Sequence, residues 1–260
     1  MDSNELPAIG RDRINVVCWN IKHSSRIDRL KQVIDGSSPD FIFLQEVDCE
    51  TARNGFIDVP SVLSCELKMY NAYAPTVSVR PMLPGMRSSY GICILSRTPI
   101  SASYQYRLDN FKIYTGRSNT EPRIALVCVV MFNGKPVVLI NTHLSPAGKT
   151  NKLQRAMQII KLGNIVQMYS RVGPIVIAGD FNADPVELRT LQFWRRAGLN
   201  VAQTGQVTFR PRSADQGKYK SDTIDYIAAS GWIFHSVEAR VDVSVSDHSC
   251  ILGTLYAEEK

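Results

Sequence analysis

The chain has 260 residues, 44% of them hydrophobic and 21% charged. That is long for one domain but within reach of a large two-sheet or barrel fold with a substantial core. Its formal net charge is +6, from 30 basic and 24 acidic residues, which suits phosphate-bearing partners without demanding them. The longest apolar run, Ile124 to Phe132, is nine residues, too short to cross a bilayer as a helix, and Met1 to Asp12 lacks the apolar core of a secretory signal. The expectation is a soluble monomer, cytoplasmic by preference, with a flexible tail over 1–12 and a single domain over 13–257.

Taken in chain order, short apolar runs bounded by turn residues predict strands at Ile14–Trp19, Phe41–Leu44, Gly91–Leu95, Ile124–Phe132, Val137–Asn141, Ile175–Ala178, Ile224–Ala228 and Cys250–Leu255. Helical patterns lie between some of them. Ile27, Leu30 and Ile34 share a face, with Pro39 beyond them as a stop. Leu153, Ala156, Met157 and Ile160 repeat at i, i+3, i+4 and i+7, the spacing of one apolar helix face. Asp184-Pro185 reads as an N-cap and first helical residue, opening a helix through about Trp194. No repeat or long linker divides the chain. Strands that alternate only partly with helices predict an α/β protein, and the helix-free stretch 86–141 with a strand-rich C-terminal part argues for a pair of packed sheets flanked by helices.

The six cysteines stand at 18, 49, 65, 93, 128 and 250, with no CxxC pair and no histidine cluster. Cys18, Cys93, Cys128 and Cys250 fall inside apolar runs, where a free thiol behaves as a small hydrophobe, so reduced thiols are expected and a structural zinc is not.

Polar residues recur where the apolar strands end: Trp19-Asn20, Gln45-Glu46, Asn141-Thr142-His143, Gly179-Asp180-Phe181-Asn182, Ile224-Asp225-Tyr226 and Ser246-Asp247-His248. Strand ends and the loops beyond them are where α/β proteins place ligand and catalytic groups. Carboxylates, asparagines and histidines converging there would make a hard-oxygen metal site with acid/base groups beside it. Each piece has an ordinary alternative: Asp180 and Asn182 could form an Asx turn, Asp184 a helix cap, His143 a satisfied histidine. Asp225, between Ile224 and Tyr226 in a buried-looking strand, is harder to explain that way, because a lone buried carboxylate is costly.

The series WN, QE, THL, GDFN, IDY and SDH, in this order over Ile14 to Leu255, resembles the endonuclease/exonuclease/phosphatase superfamily. The resemblance implies a four-layer α/β sandwich, two mixed β-sheets packed face to face with helices outside. It implies a phosphoesterase in which Glu46 binds Mg²⁺ or Mn²⁺ and Asn20 and Asp247 line the same site. Asp180 would orient or deprotonate the attacking water, and Asn182 would donate to a phosphate oxygen. His248, its ring held by Asp225, would contact the scissile phosphate, and His143 would protonate the leaving oxygen or hold the phosphate. The resemblance leaves both Asp180 and His248 open as the base. Arg123 stands where many members carry a phosphate-binding arginine, although a surface arginine opening a strand fits as well. One departure is Lys22, which occupies the place of a metal-binding aspartate in the apurinic-endonuclease branch.

The loops 80–90 and 208–220 bring Arg80, Arg87, Arg210, Arg212, Lys218 and Lys220 near the motif strands, with Tyr90, Phe209 and Tyr219 among them. Arg210 and Arg212 are the expected substrate contacts, suited to a polynucleotide backbone with stacked bases. No amphipathic helix of a membrane-docking kind is evident in the sequence. Nucleic acid is thus the expected substrate, and a small phosphoester or a sphingomyelin-like lipid head group the alternative.

Overall fold

The computed structural model describes residues 12–78, 85, 88–108, 121–146, 149–202, 204–212 and 220–258. Residues 1–11, and with them the expected tail, lie outside that set, as do Arg80, Arg87, Lys218 and Tyr219.

Among the described residues, twelve strands form two six-stranded sheets. The first has the order β11 (Trp232–Arg240), β12 (Cys250–Ala257), β1 (Arg13–Asn20), β2 (Phe41–Cys49), β4 (Ser89–Ser96), β3 (Tyr70–Ser78). The second runs β5 (Ile100–Arg107), β6 (Ile124–Phe132), β7 (Lys135–His143), β8 (Ile175–Asp180), β10 (Asp225–Ser230), β9 (Asn200–Val201). Each sheet has one parallel pair near its centre, β1 with β2 and β7 with β8, and antiparallel neighbours elsewhere. A helix makes each parallel crossover, α1 (Ile27–Asp35) in the first and α3 (Lys149–Tyr169) in the second. The remaining helices are α2 (Val59–Leu67), α4 (Pro185–Thr190) and α5 (Phe193–Ala197).

Three apolar layers account for the sandwich. Val16, Cys18, Phe41, Phe43, Ile94, Leu126, Leu139, Val176 and Ile227 pack between the two sheets. The opposite faces of the same strands, Val17, Ile42 and Leu44 on one side and Val127, Ile140 and Ile177 on the other, meet α1 and α2 or α3 to α5. Strands buried on both faces read as continuous apolar runs, which is why they were legible in the sequence. Cys18, Cys49, Cys93, Cys128 and Cys250 are buried and Cys65 is exposed.

Two helical expectations need correction. The stripe Leu153, Met157 and Ile160 does not face the sheet: these residues are 63%, 38% and 59% exposed. The core face of α3 is instead Ile159, Leu162, Ile165, Val166 and Tyr169, because apolar residues lie on both sides of this helix and periodicity cannot choose between them. The helix expected from Pro185 to Trp194 is two helices, broken where Gln192 takes a left-handed conformation with φ 51°. Asp184 caps the first of them, its carboxylate accepting from the Glu187 N–H at 2.7 Å.

Gly179 lies opposite Thr142 in the β7–β8 pair, one residue from the His143–Asp180 step. A Cβ there would sit 2.1 Å from the Thr142 carbonyl oxygen. Gly179→Ala should therefore force the parallel pair apart and cost about 1–3 kcal/mol or more, as overpacking does. A urea midpoint equal to that of the unaltered protein would show that the strands part there without cost.

Candidate active site

Both parallel pairs end on the same edge of the sandwich, and the predicted motif residues collect there. Parallel register sets His143 beside Asp180, and antiparallel register sets Asp225 opposite Asp180. β2 continues past Glu46 through a bulge between Leu44 and Val47, where Glu46 takes φ 54°. Such a bulge turns a side chain out of the pleat, and here it aims Glu46 into the cleft while Gln45 stays inside. Gln45 donates to Asn141 Oδ1 at 2.7 Å, and the Asn141 amide donates to the Leu44 and Cys93 carbonyls. Two motif residues thus serve as a hydrogen-bonded bridge between the sheets.

The cleft has a volume of about 520 Å³ and is lined by Lys22, His23, Glu46, Arg123, His143, Asp180, Asn182, Asp247 and His248, with Tyr90, Phe209 and Lys220 among the others at its walls. Asn20 and Asp225 lie just beneath. The Asn20 side chain donates to Glu46 Oε1 at 3.1 Å and to Asp180 Oδ2 at 3.0 Å, while its oxygen accepts the backbone N–H of Lys22 at 3.0 Å. Since a backbone N–H can only donate, this fixes the amide's orientation: Asn20 holds two carboxylates with its NH₂ group. Expected at a metal site, Asn20 is placed by these bonds between Glu46 and Asp180.

His248 bridges the other carboxylates. Its Nδ1 is 2.9 and 3.0 Å from the two oxygens of Asp225, and its Nε2 is 3.8 Å from Asp180 Oδ2. Thr208 donates to Asp225 Oδ2 at 2.7 Å, and the Phe209 ring stands 4.8 Å from the imidazole. His143 Nε2 is 3.5 Å from the same Asp180 oxygen. Trp19 Nε1 donates to the His248 carbonyl and Ser246 Oγ to that of Asn20, so the WN and SDH segments are tied together. Asp180 Oδ1 accepts from Asn182 N at 2.9 Å; this is the Asx turn, and it coexists with the clustering of acid groups.

Burial and then the Asp225 charge push the Asp180 carboxyl up to about 7, against the opposing pull of His248 and the hydrogen bonds from Asn20 and Asn182. Burial pulls His248 down, but Asp225, Asp180 and Asp247 outweigh it and raise it to about 10. Burial, reinforced by Arg123, His248 and His23, pushes His143 well below the usual imidazole range. One imidazole therefore carries a proton between two carboxylates, and the other is neutral.

Among the described residues, several buried polar atoms around the cleft lack hydrogen-bond partners: Asp247 Oδ1, Arg123 Nε and Nη1, and His23 Nδ1. Asp247 Oδ2 pairs with the Lys22 ammonium, and Arg123 reaches Glu121 through Nη2 at 3.3 Å. Unmet buried groups are rare in folded proteins and ask for a ligand: the carboxylate oxygen for a cation, the guanidinium for an anion. Hard-oxygen donors from Glu46, Asp180 and Asp247 fit a divalent ion such as Mg²⁺. Asp180, Asp225 and His248 also place one ligand atom each within 4.8 Å of one another, a group that could hold a metal; there the imidazole already bridges the two carboxylates. Lys22, His23, Glu46 and Asn182 all have positive φ, between 45° and 59°, and strain of this kind, about 1–3 kcal/mol per residue, gathers at functional sites.

Two expected contacts lie elsewhere. Arg210 donates to Ser249 Oγ at 2.8 Å and is not part of the cleft wall, nor is the exposed Arg212, whereas Lys220 is. His23 and Glu121 line the cleft without having stood out as site residues, whereas Tyr90, singled out with Phe209 in the sequence, lies at its wall. His23 follows Asn20 by three residues, and only the register of β1 with β2 reveals that it reaches Glu46.

The Endonuclease/Exonuclease/phosphatase family model matches residues 17–248. No curated protein matches the chain. In structure the chain is similar to an endonuclease/exonuclease/phosphatase from Beutenbergia cavernae DSM 12333, with TM-score 0.72 and 23% identity over 95% of this chain and 72% of that one. It is similar to the human Nocturnin catalytic domain with bound sulfate anion, with TM-score 0.70 and 20% identity over 96% and 97%. TDP2 from C. elegans gives TM-score 0.67 and 18% identity over 96% and 76%. At these identities the likeness shows a common fold.

Proposed function

The chain belongs to the endonuclease/exonuclease/phosphatase family, and from that premise we propose that it is a Mg²⁺- or Mn²⁺-dependent phosphodiesterase whose substrate is nucleic acid. The observation that carries this reading is the pairing of unmet groups in one cleft, a buried Asp247 oxygen seeking a cation and a buried Arg123 guanidinium seeking an anion. A phosphate with its counter-ion answers both.

Glu46, held by Asn20, and Asp247 would hold the ion, and the ion would supply Lewis-acid polarisation of a phosphoryl oxygen. Asp180, raised toward neutrality and tied to Asn20 and Asn182, would take the proton of the attacking water, a task suited to a group near the working pH. His248, charged and held by Asp225, would contact the phosphate, and Asn182 would donate to one of its oxygens. His143, neutral and beside Arg123, would hold the phosphate rather than protonate the leaving oxygen. Phe209 offers a face on which a base can stack, and Lys220 and Arg212 would meet the outer backbone. Arg210 would act through Ser249, steadying the segment that carries His248.

Arg123→Ala removes a charged donor worth roughly 1.5–3 kcal/mol, so kcat/KM should fall about 10- to 100-fold. Inorganic phosphate should lose potency as an inhibitor in parallel. Unchanged phosphate inhibition would take Arg123 out of the substrate site.

One observation favours a lipid head group instead: the exposed Leu153, Met157 and Ile160 lie on α3, the helix whose Arg155 lines the cleft. Plasmid DNA, RNA, phosphoinositide and sphingomyelin vesicles assayed side by side with Mg²⁺ separate the readings. Nucleic-acid cleavage should weaken with salt by a log–log slope of about −0.7 to −0.9 per phosphate contact. Turnover of a lipid and of no nucleic acid would give the case to the alternative.

A further inference from the structure

We propose that His23 is a positioning residue that sets the Glu46 carboxylate for its divalent ion, an inference resting on the reading of Glu46 given above. His23 Nε2 lies 3.1 Å from Glu46 Oε2, and the His23 backbone N–H donates to the Glu46 carbonyl at 3.0 Å. Both residues hold left-handed conformations, φ 59° and 54°, so main chain and side chain meet in one strained, built junction. Asn20 holds Oε1 from the other side at 3.1 Å. Oε1 thus accepts from Asn20 and Oε2 faces the His23 ring nitrogen, one polar partner at each carboxylate oxygen.

The ring is itself fixed. It packs on Tyr90 with centroids 4.9 Å apart, and Arg53 lies 5.3 Å over the other aromatic ring's centroid. Behind it, Asp48 Oδ1 is 3.6 Å from Nδ1, an electrostatic contact longer than a hydrogen bond. Asp48 is fully buried and clamped by Arg53 at 2.6 and 2.7 Å and by Thr51 at 2.9 Å. The order Arg53–Asp48–His23–Glu46 is that of a carboxylate–histidine pair placed one step behind a ligand, an arrangement that fixes ligand orientation before the ion arrives. A glutamate left free at the β2 bulge would otherwise lose side-chain freedom on binding.

The test uses the full chain stripped with chelator, Mn²⁺ as the probe, and electron paramagnetic resonance of free Mn²⁺ as the readout. His23→Ala should weaken Mn²⁺ binding about 10- to 100-fold, the usual effect of removing an outer-shell partner. His23→Asn, whose amide can still donate toward Glu46, should recover part of the loss. In turnover, the concentration of metal giving half-maximal rate should rise while kcat at saturating metal changes much less. Circular dichroism confirms folding; should His23→Ala not fold, His23→Asn and His23→Gln carry the same comparison, and Mn²⁺ affinity unchanged in every folded variant overturns the inference. So does nitrogen spin-echo modulation in the unaltered protein that vanishes on replacing His23, which would make it a ligand. Glu46→Gln binding Mn²⁺ normally would mean that the reading of Glu46 itself has failed, whereas loss there with no loss at His23 removes only the present inference.

Discussion

Replacing Glu46 by Gln should reduce phosphodiester hydrolysis by about three orders of magnitude or more and leave the fold intact. The substitution keeps the shape and one acceptor for the Asn20 amide, but removes the acceptor beside His23 or Asn20 and the negative charge that would hold the ion. The ion's Lewis-acid contribution is several kcal/mol, and each ~1.4 kcal/mol is a factor of ten in rate. Chelation of the unaltered protein should reproduce the loss and added Mg²⁺ should reverse it, whereas Glu46→Gln should respond only to metal far above the usual concentration. Activity that persists in excess chelator would end the metal-dependent reading of this chain.

The second large effect is expected at His248. His248→Ala should cost roughly two to four orders of magnitude in kcat, the scale of acid–base and charge contacts at a reacting group. It also leaves Asp225 buried with Thr208 as its remaining side-chain donor, and breaking a buried pair typically costs about 3–5 kcal/mol. Asp225→Asn should fall between, since the imidazole remains but its charge and orientation are no longer held.

A pH signature separates the stability effect from general damage. His248 is raised from 6.5 to about 10 on folding, so its stabilisation is full below 6.5 and fades as pH rises through about 10. Asp180, raised from 3.8 to about 7, destabilises progressively over that lower window and adds nothing further above it. In metal-free protein, urea stability between about pH 7 and 10 should therefore decline, and the decline should be absent in His248→Ala. Parallel curves for the two proteins would show that the Asp225–His248 pair does not carry a raised proton affinity.

The parts of the fold legible in the sequence were those where both faces of a strand are buried: β1, the first part of β2, and β4, β6, β7, β8, β10 and β12. Half-exposed edges were not. β5 and β11 carry Tyr104, Gln105, Ile233 and Glu238 outward, and their mixed composition reads as loop. α2 escaped because Pro60 and Ser61 sit in its first turn. Within the site, the carboxylates and histidines at strand ends were legible because polar residues interrupting apolar runs are conspicuous. Arg210 and Arg212 were placed by proximity in sequence, which says nothing of the hydrogen bond that draws Arg210 to Ser249. His23 depended on a pairing between strands some 25 positions apart, together with a bulge that no local pattern announces.

The place of β12 has a consequence for the order of events during synthesis. β1, the earliest of the described strands, is flanked by β2 on one side and on the other by β12, the latest of them, and Ala257 N–H donates to the Asp12 carbonyl. A nascent chain that has already emerged through Asp225 holds Asn20, Glu46, His143 and Asp180, yet β1 has an open edge and Asp247 and His248 have not arrived. Long-range pairing of this kind closes late, and an unpaired central strand is the segment a chaperone would need to shield meanwhile. The cleft described above is thus complete only once β12 has paired with β1 and brought Asp247 and His248 to its wall.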